Sequence, residues 1–306
     1  MNVKVKKIIA DIKSLKIQGA RNIAKSAVMA LSHQIKHSKS KSLDSIYKEL
    51  KLVGKELRNA RPTEPMTRNS IDNIISYVLS NLKEKNVSEL KKLVSKKEKE
   101  LLKKMDSDSA KISEYGARLI RDGSVVLTHC HSSSVTNVLI KAKKIGKRFK
   151  VIAFETRPRY QGRKTVKELV SAGIDVTLAV DGAMELFMRK ADLCLVGADS
   201  ITSRGDLINK VGTSTLAHIA QMHDVSFYSV AELFKFSTKT IFGNLEEIEE
   251  RDRKEVWEDA PRKLKIRNPA FDVTSAEYIN GYVTEAGIIP PQSILSVASE
   301  HLGIKL

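Results

Sequence analysis

The spacing of apolar residues changes character near residue 118, and that change restricts what the chain can fold into. Before it, apolar side chains recur at helical intervals: Ile8, Ile9, Ile12, Leu15 and Ile17, then Ile23, Ala24, Ala27, Val28 and Leu31. After it, short runs rich in β-branched residues alternate with amphipathic segments. Runs at 124–129, 150–155, 175–180, 193–196, 225–231 and 281–284 read as strands, and 135–144, 165–172, 183–190, 213–222 and 291–301 read as helices. Strands and helices in alternation imply right-handed βαβ units and a parallel sheet covered on both faces. The expected fold is therefore α/β: an N-terminal helical domain, 1–115, followed by a Rossmann-like, mostly parallel sheet domain, 116–306. A length of 306 residues accommodates two domains of about 150 each.

Breaks within the helical part are marked by its punctuation. Gly19 interrupts the first apolar run, so a loop is expected around 18–21. Ser42 is placed to cap a helix carrying Ile46, Tyr47 and Leu50 on its inner face. Pro62 and Pro65 stop that helix. Another carries Ile71, Ile74, Ile75, Val78 and Leu79. The Lys-rich stretch 87–110 keeps Leu90, Leu93, Val94, Leu101 and Met105 on one side.

Charge is uneven. Residues 1–112 hold 26 Lys/Arg against 12 Asp/Glu, and the rest of the chain holds 27 against 24. A basic first third could attract nucleic acid or an acidic protein. No stacking aromatics interleave with the lysines, so solvated helix faces are the preferred reading and a nucleic-acid partner is not expected. Cys130 and Cys194 form no C-x-x-C pair, which argues against a zinc knuckle. Two lone cysteines and no signal peptide point to the reducing cytoplasm. No apolar run reaches the roughly 18 residues of a membrane span.

In open parallel sheets, ligands bind outside the carboxyl ends of the strands, where the strand order reverses. After the first strand stands Thr128-His129-Cys130-His131-Ser132-Ser133-Ser134. A thiol near a helix amino end is expected to be stabilised as a thiolate. Ser132, Ser133 and Ser134 offer hydroxyls and amides to a phosphate. A buried Cys with a Ser-rich cap is the plainer alternative. A core or orienting role is preferred for His129 and His131 over metal ligation, since no third ligand stands nearby. After the fourth strand comes Asp199, which could work in the same cleft or merely cap a turn. Asn209, Lys210 and the helix start at 213 suggest an anion site, and Lys235 follows the fifth strand. Taken singly, either lysine is more simply an ordinary surface charge. Neither G-x-G-x-x-G nor G-x-x-x-x-G-K-[ST] occurs, so nicotinamide and P-loop fingerprints are absent. Together, a thiol, a carboxylate and two lysines suit proton transfer beside a phosphorylated carbon skeleton, with no cofactor and no metal.

THCHSS at 128–133, ETRPRYQGRKT at 155–165, GADSI at 197–201, INKVGTS at 208–214 and AELFKF at 231–236 together resemble one family. It contains archaeal ribose-1,5-bisphosphate isomerase, methylthioribose-1-phosphate isomerase and the regulatory subunits of translation initiation factor 2B. QGAR at 18–21, ARPTEP at 60–65 and the tail at 268–291 extend the resemblance over nearly the whole chain, closest to the archaeal isomerase. The resemblance implies conversion of an aldose 1-phosphate to its ketose through ring opening and a cis-enediol, within AMP salvage. It makes Cys130 the proton acceptor and Asp199 the proton donor. It gives Gln18, Gly19, Ala20, Arg21, Arg61, Ser132, Ser133, Ser134, Asn209, Lys210 and Lys235 to substrate binding. It further implies AMP as an activator and a homo-oligomer, a dimer or a hexamer built from dimers. The apolar tail after 268, too apolar for a free end, supports that expectation.

Two positions depart from the isomerase pattern: Gln18 and Ser133 stand where arginine and lysine are expected. A charge-assisted contact contributes about 1.5–3 kcal/mol, so their loss favours a less charged substrate or a substitute such as Arg21. The alternative reading is a non-catalytic regulatory subunit of an initiation factor 2B-like complex, with the alpha subunit of initiation factor 2 as partner. Regulatory subunits usually lack both the Cys and the Asp; this chain keeps both, which favours the enzyme.

Overall fold

The computed structural model describes residues 1–82 and 86–304. By internal contacts the chain divides into Met1–Ser107 and Asp108–Leu306. The division falls inside one long helix, so the boundary expected at 115/116 lies further along that same helix.

The first unit contains α1 (Val3–Lys13), α2 (Ala20–Lys36), α3 (Leu43–Ala60), α4 (Pro65–Ser80) and the start of α5 (Val87–Leu119). Their ends follow the punctuation of the sequence. Gly19, at φ +85°, precedes α2 in a conformation that favours glycine. The Ser42 side chain accepts from the Ser45 amide at 3.2 Å. Pro65 occupies the first turn of α4, where a missing N–H costs nothing. Asn86 and Glu89 cap α5 reciprocally, the Asn86 side chain accepting from the Glu89 amide at 3.0 Å and the Glu89 carboxylate from the Asn86 amide at 3.4 Å. Ile12, Leu31, Leu50, Leu57 and Ile74 are fully buried, which is the inward stripe that the spacing predicts.

In the second unit β1 (Val125–His129), α6 (Ser133–Lys144), β2 (Lys150–Phe154), α7 (Gln161–Ser171), β3 (Asp175–Ala179), α8 (Met184–Met188) and β4 (Leu193–Val196) follow in order. Next come β5 (Ser200–Ile201), β6 (Leu207–Lys210), α9 (Thr213–Met222), β7 (Ser226–Val230), β8 (Phe271–Thr274), β9 (Gly281–Thr284), β10 (Gly287–Ile289) and α10 (Ile294–Leu302). Seven strands form one sheet in the order β10-β9-β7-β4-β1-β2-β3. All neighbours are parallel except β10 on β9. Alternation along the strands sends side chains to two separate cores. Leu127, Ile152, Cys194 and Val196 face the residues of α8, α9 and α10. Val126, Val151, Leu193 and Leu195 face α6, α7 and the end of α5. Cys194 is thus a core residue.

The structure adds four strands to those expected. β5, β6 and β8 make a small antiparallel sheet, and β10 extends the large one. Asn209 and Lys210 therefore end a strand rather than open a helix. The tail after 268 is a correction as well. Phe271, Tyr282, Val283, Ile289 and Ile294 are buried within the chain itself, so its apolar content is no argument for a dimer.

Close backbone approach fixes α7 against β2. A Cβ on Gly162 would lie 1.8 Å from the Phe154 carbonyl oxygen. Gly162→Ala is expected to destabilise the second unit by about 3 kcal/mol, the upper range for overpacking against unyielding atoms. Urea denaturation followed by circular dichroism would show it, and an unchanged midpoint would contradict the packing.

Candidate active site

Strand order reverses between β1 and β4, the place where such sheets form their ligand crevice. Cys130 follows β1 directly and Asp199 stands in the short link from β4 to β5. The two loops are in contact. A Cβ on Gly197 would lie 2.7 Å from Cβ and 2.8 Å from Oγ of Ser132, so only glycine lets the end of β4 approach the start of α6 this closely. Asp199 is half-buried and its amide donates to the Ile208 carbonyl at 2.9 Å, which ties the loop to β6.

Cys130 adopts φ +66°, a left-handed conformation that costs a non-glycine residue about 1–3 kcal/mol unless its surroundings hold it. They do. Its amide donates to Thr156 Oγ1 at 2.9 Å, and its carbonyl accepts from Thr165 Oγ1 at 2.8 Å. Thr156 itself has φ +66° and is fully buried. The carboxylate of Asp181 holds it, accepting from the Thr156 amide at 2.8 Å and the Arg157 amide at 2.7 Å.

The thiol is not the acidic one expected from its sequence position. Burial pushes it up to about 11, with Asp199 and Asp181 adding in the same direction and Lys210 opposing them. Cys130 as a residue is only half-buried, yet its surroundings are dense enough for burial to dominate. A backbone hydrogen bond from the His131 amide also lowers the thiol, but burial prevails. The same charges have a second meaning: Asp199 and Lys210 both lie close enough to act on the Cys130 sulfur.

Lys210 is half-buried, with Nζ 5.2 Å from the centre of the Phe271 ring. Asn209 Nδ2 donates to Thr213 Oγ1 at 3.0 Å. The helix-start amides expected to bind an anion are already engaged. The Asp272 carboxylate accepts from the Gly212 amide at 2.6 Å and the Ser214 amide at 3.1 Å. Burial raises Asp272 to about 6, against these amides and Lys210, which lower it. Lys235 is buried beside Glu232, with Nζ 3.5 Å from Oε2, so it is not a surface charge. Its turn is joined to the site loop through the Ser237 amide, which donates to the Ile201 carbonyl at 2.8 Å.

Of the serines, Ser132 caps α6, Ser134 is buried and Ser133 is exposed. The remaining expected residues belong to the first unit. Gln18 Nε2 donates to the Leu15 carbonyl at 2.6 Å, Gly19 and Ala20 open α2, and Arg21 binds Asp106 at 3.1 Å. Arg61 follows α3 and lies 3.3 Å from Glu64. Both histidines orient the loop. His129 Nε2 donates to the Val211 carbonyl at 2.9 Å, and His131 Nδ1 lies 3.2 Å from Thr165 Oγ1. Burial lowers both, which favours neutral rings. Asp181, Thr156, Thr165 and Asp272 were not singled out from sequence. Nor was Gln161, at the start of α7, whose Oε1 is buried without a hydrogen-bond partner. Gln161, Thr156 and Thr165 all sit within the 155–165 segment that carries the family resemblance, the one available signal for them.

Among the described residues, Asp108, Glu285 and His301 could offer metal ligands, their atoms lying within 4.8 Å of one another. Glu285 is otherwise occupied, accepting from the Leu233 amide at 3.1 and 3.2 Å and facing His301 Nε2 at 3.0 Å.

Comparison with known proteins follows this geometry. Residues 16–291 match the initiation factor 2 subunit family. Ribose 1,5-bisphosphate isomerase of Archaeoglobus fulgidus is 42% identical over 294 residues, 95% of this chain and 91% of that protein. The protein of that name from Methanocaldococcus jannaschii is 40% identical, over 98% of this chain and 96% of its own. The crystal structure of translation initiation factor eIF-2B from Pyrococcus horikoshii superposes with a TM-score of 0.81 at 29% identity, covering 95% of this chain and 98% of that one. 5-Methylthioribose 1-phosphate isomerase from the same organism gives 0.80 at 27% identity, covering 97% and 88%.

Two outcomes follow from the ionisation. Alkylation of Cys130 by iodoacetamide should keep accelerating beyond about pH 9, where an ordinary thiol begins to level off, since the reactive thiolate is scarce below its pKa. Mass spectrometry would follow it, and a plateau near neutrality would contradict a raised thiol. Asp272 is raised in the folded chain, so the native state holds its proton more tightly than the unfolded state. Its contribution is complete below about pH 4 and is lost as pH rises through about 6. A shift of this size corresponds to about 3 kcal/mol. Asp272→Asn should flatten that fall in urea titrations taken across the interval.

Proposed function

The chain belongs to the initiation factor 2 subunit family, and from that premise we propose that it is a ribose 1,5-bisphosphate isomerase producing ribulose 1,5-bisphosphate. The carrying observation is the contact of the loops that bear Cys130 and Asp199 at the reversal of strand order, in a chain 40–42% identical to proteins of that name.

In the proposed reaction, Cys130 as thiolate takes the proton from C2. The C1–O4 ring bond breaks, a C1–C2 double bond forms, and O4 takes a proton from Asp199. The resulting enediol 1-phosphate returns its O2 proton to Asp199 while Cys130 delivers a proton to C1. Atoms and charge balance, and no oxidant is needed. The thiol must lose its proton before the first step, because burial holds Cys130 in the protonated form. Lys210 is suited to promote that loss, since its charge is the one that lowers Cys130. Phosphate contacts from Lys210 and Lys235 would turn remote binding energy into positioning. Phosphate roles for Gln18, Gly19, Ala20, Arg21 and Arg61 rest on the family resemblance, as do those of Ser132, Ser133, Ser134 and Asn209.

Activation by AMP, a place in nucleotide salvage, a homo-oligomeric state and a cytoplasmic location are part of this proposal. Among the described residues no helix is long and apolar enough to cross a membrane. Light scattering that gave a monomer at micromolar concentration would remove the oligomer. The neutral residues at Gln18 and Ser133 favour a second reading, a regulatory subunit that binds the alpha subunit of initiation factor 2.

Purified protein incubated with α-ribose 1,5-bisphosphate, with and without AMP, should form the ketose by NMR. Cys130→Ser should lower kcat by at least about a thousandfold, since the alcohol cannot serve as the base. No turnover by the wild type, or full turnover by the serine variant, would defeat the proposal. Selective capture of the factor's alpha subunit would then favour the second reading.

A further inference from the structure

We infer that Thr156 and Thr165 are positioning residues, whose hydroxyl groups clamp the backbone of Cys130 so that its sulfur is held toward the loop carrying Asp199. The inference rests on the isomerase reading for its catalytic consequence and on geometry alone for the clamp.

Both polar groups of the Cys130 peptide unit are satisfied by threonine hydroxyls from other elements. The amide donates to Thr156 Oγ1 at 2.9 Å, and the carbonyl accepts from Thr165 Oγ1 at 2.8 Å. The bonds approach from the loop after β2 and from α7, so together they fix the residue from both sides. They hold a conformation that Cys130 would not adopt unaided, at φ +66°. Thr156 is itself in the left-handed region, where a β-branched residue is an outlier, and both threonines are buried. Strain at two successive strand ends persists only where something over-determines it. Here the determinant is a relay across three strands: Asp181 after β3 holds the Thr156 and Arg157 amides, and Thr156 holds Cys130. Thr165 is held in turn by His131, whose Nδ1 lies 3.2 Å from Oγ1. Neither hydroxyl needs to reach the reacting carbon to matter, since sulfur placement alone governs the attack geometry.

Thr156→Val keeps the shape and removes the acceptor. The Cys130 amide then lacks its partner, and the residue relaxes away from the left-handed pose. The expected result is a fall in kcat of about 10–100-fold with KM within about threefold, the loss expected from a misplacement on the order of 1 Å. The freed thiol becomes better solvated, so Cys130 should react faster with iodoacetamide while catalysis slows. Thr156→Ser should restore both. Thr165→Val should act in the same direction. Cys194 is an internal reference, being fully buried in the sheet core. It stays unlabelled while the fold is intact. Faster labelling confined to Cys130 and reversed by serine supports the clamp. Unchanged Cys130 labelling and kcat in Thr156→Val, or labelling of both cysteines together without rescue by serine, overturns it. The labelling arm requires no sugar phosphate. If the wild type turned over no ribose 1,5-bisphosphate, the isomerase reading would fail while the clamp was still decided.

Discussion

Parallel pairing of β1 with β4 is the constraint on which the candidate site depends. The two strands share the register Val126↔Leu193 and Leu127↔Cys194, so their carboxyl ends emerge side by side. They are far apart in sequence, and β2, β3 and three helices intervene. The order of strands leaves the loops after them uncovered by a direct crossover connection. Gly197 then removes the last side chain that would separate those loops. Everything chemical follows from that contact: Cys130 on one loop, Asp199 on the other, and Lys210 brought in by the pairing of β6 with β8.

The small antiparallel sheet does more than extend the fold. Pairing Asn209↔Asp272 and Lys210↔Phe271 brings Asp272 to the start of α9 and puts the Phe271 ring beneath the Lys210 chain. The carboxylate then fills the amide site that a bound anion would otherwise use. In the proposed function, a phosphate near the start of α9 would therefore be met by side-chain cations rather than by these amides. Lys210 faces opposed demands there, since it offsets the charge of Asp272 and also acts on Cys130.

Much of this was legible in the sequence, and the remainder has a common cause. The inner parallel strands β1, β2 and β4 show as β-branched runs because they are buried on both faces and need no alternation, whereas β3, at the sheet edge, is largely exposed. The breaks at Gly19, Ser42 and Pro65 show because capping and proline chemistry are local. β5, β6 and β8 did not show, since strands of two to four residues carry too little pattern and their partners lie far along the chain. Asp272 was hidden for the same reason. So were Thr156 and Thr165, whose bonds to Cys130 span 26 and 35 residues. The thiol was misjudged because sequence shows a nearby helix start but neither the burial around the sulfur nor the carboxylate of Asp181.

That misjudgement changes how the proposed chemistry has to run. An acidic cysteine would wait as a thiolate, and substrate would simply meet a base. Here the negative charges of Asp199 and Asp181 add to burial in holding Cys130 protonated. Protonating Asp199 would remove one of the charges that raise the thiol. In the proposed reaction, a proton passed from the sulfur to that carboxylate would create the base and the acid together. Burial opposes that transfer, and a fixed cation such as Lys210 favours the thiolate that it would leave.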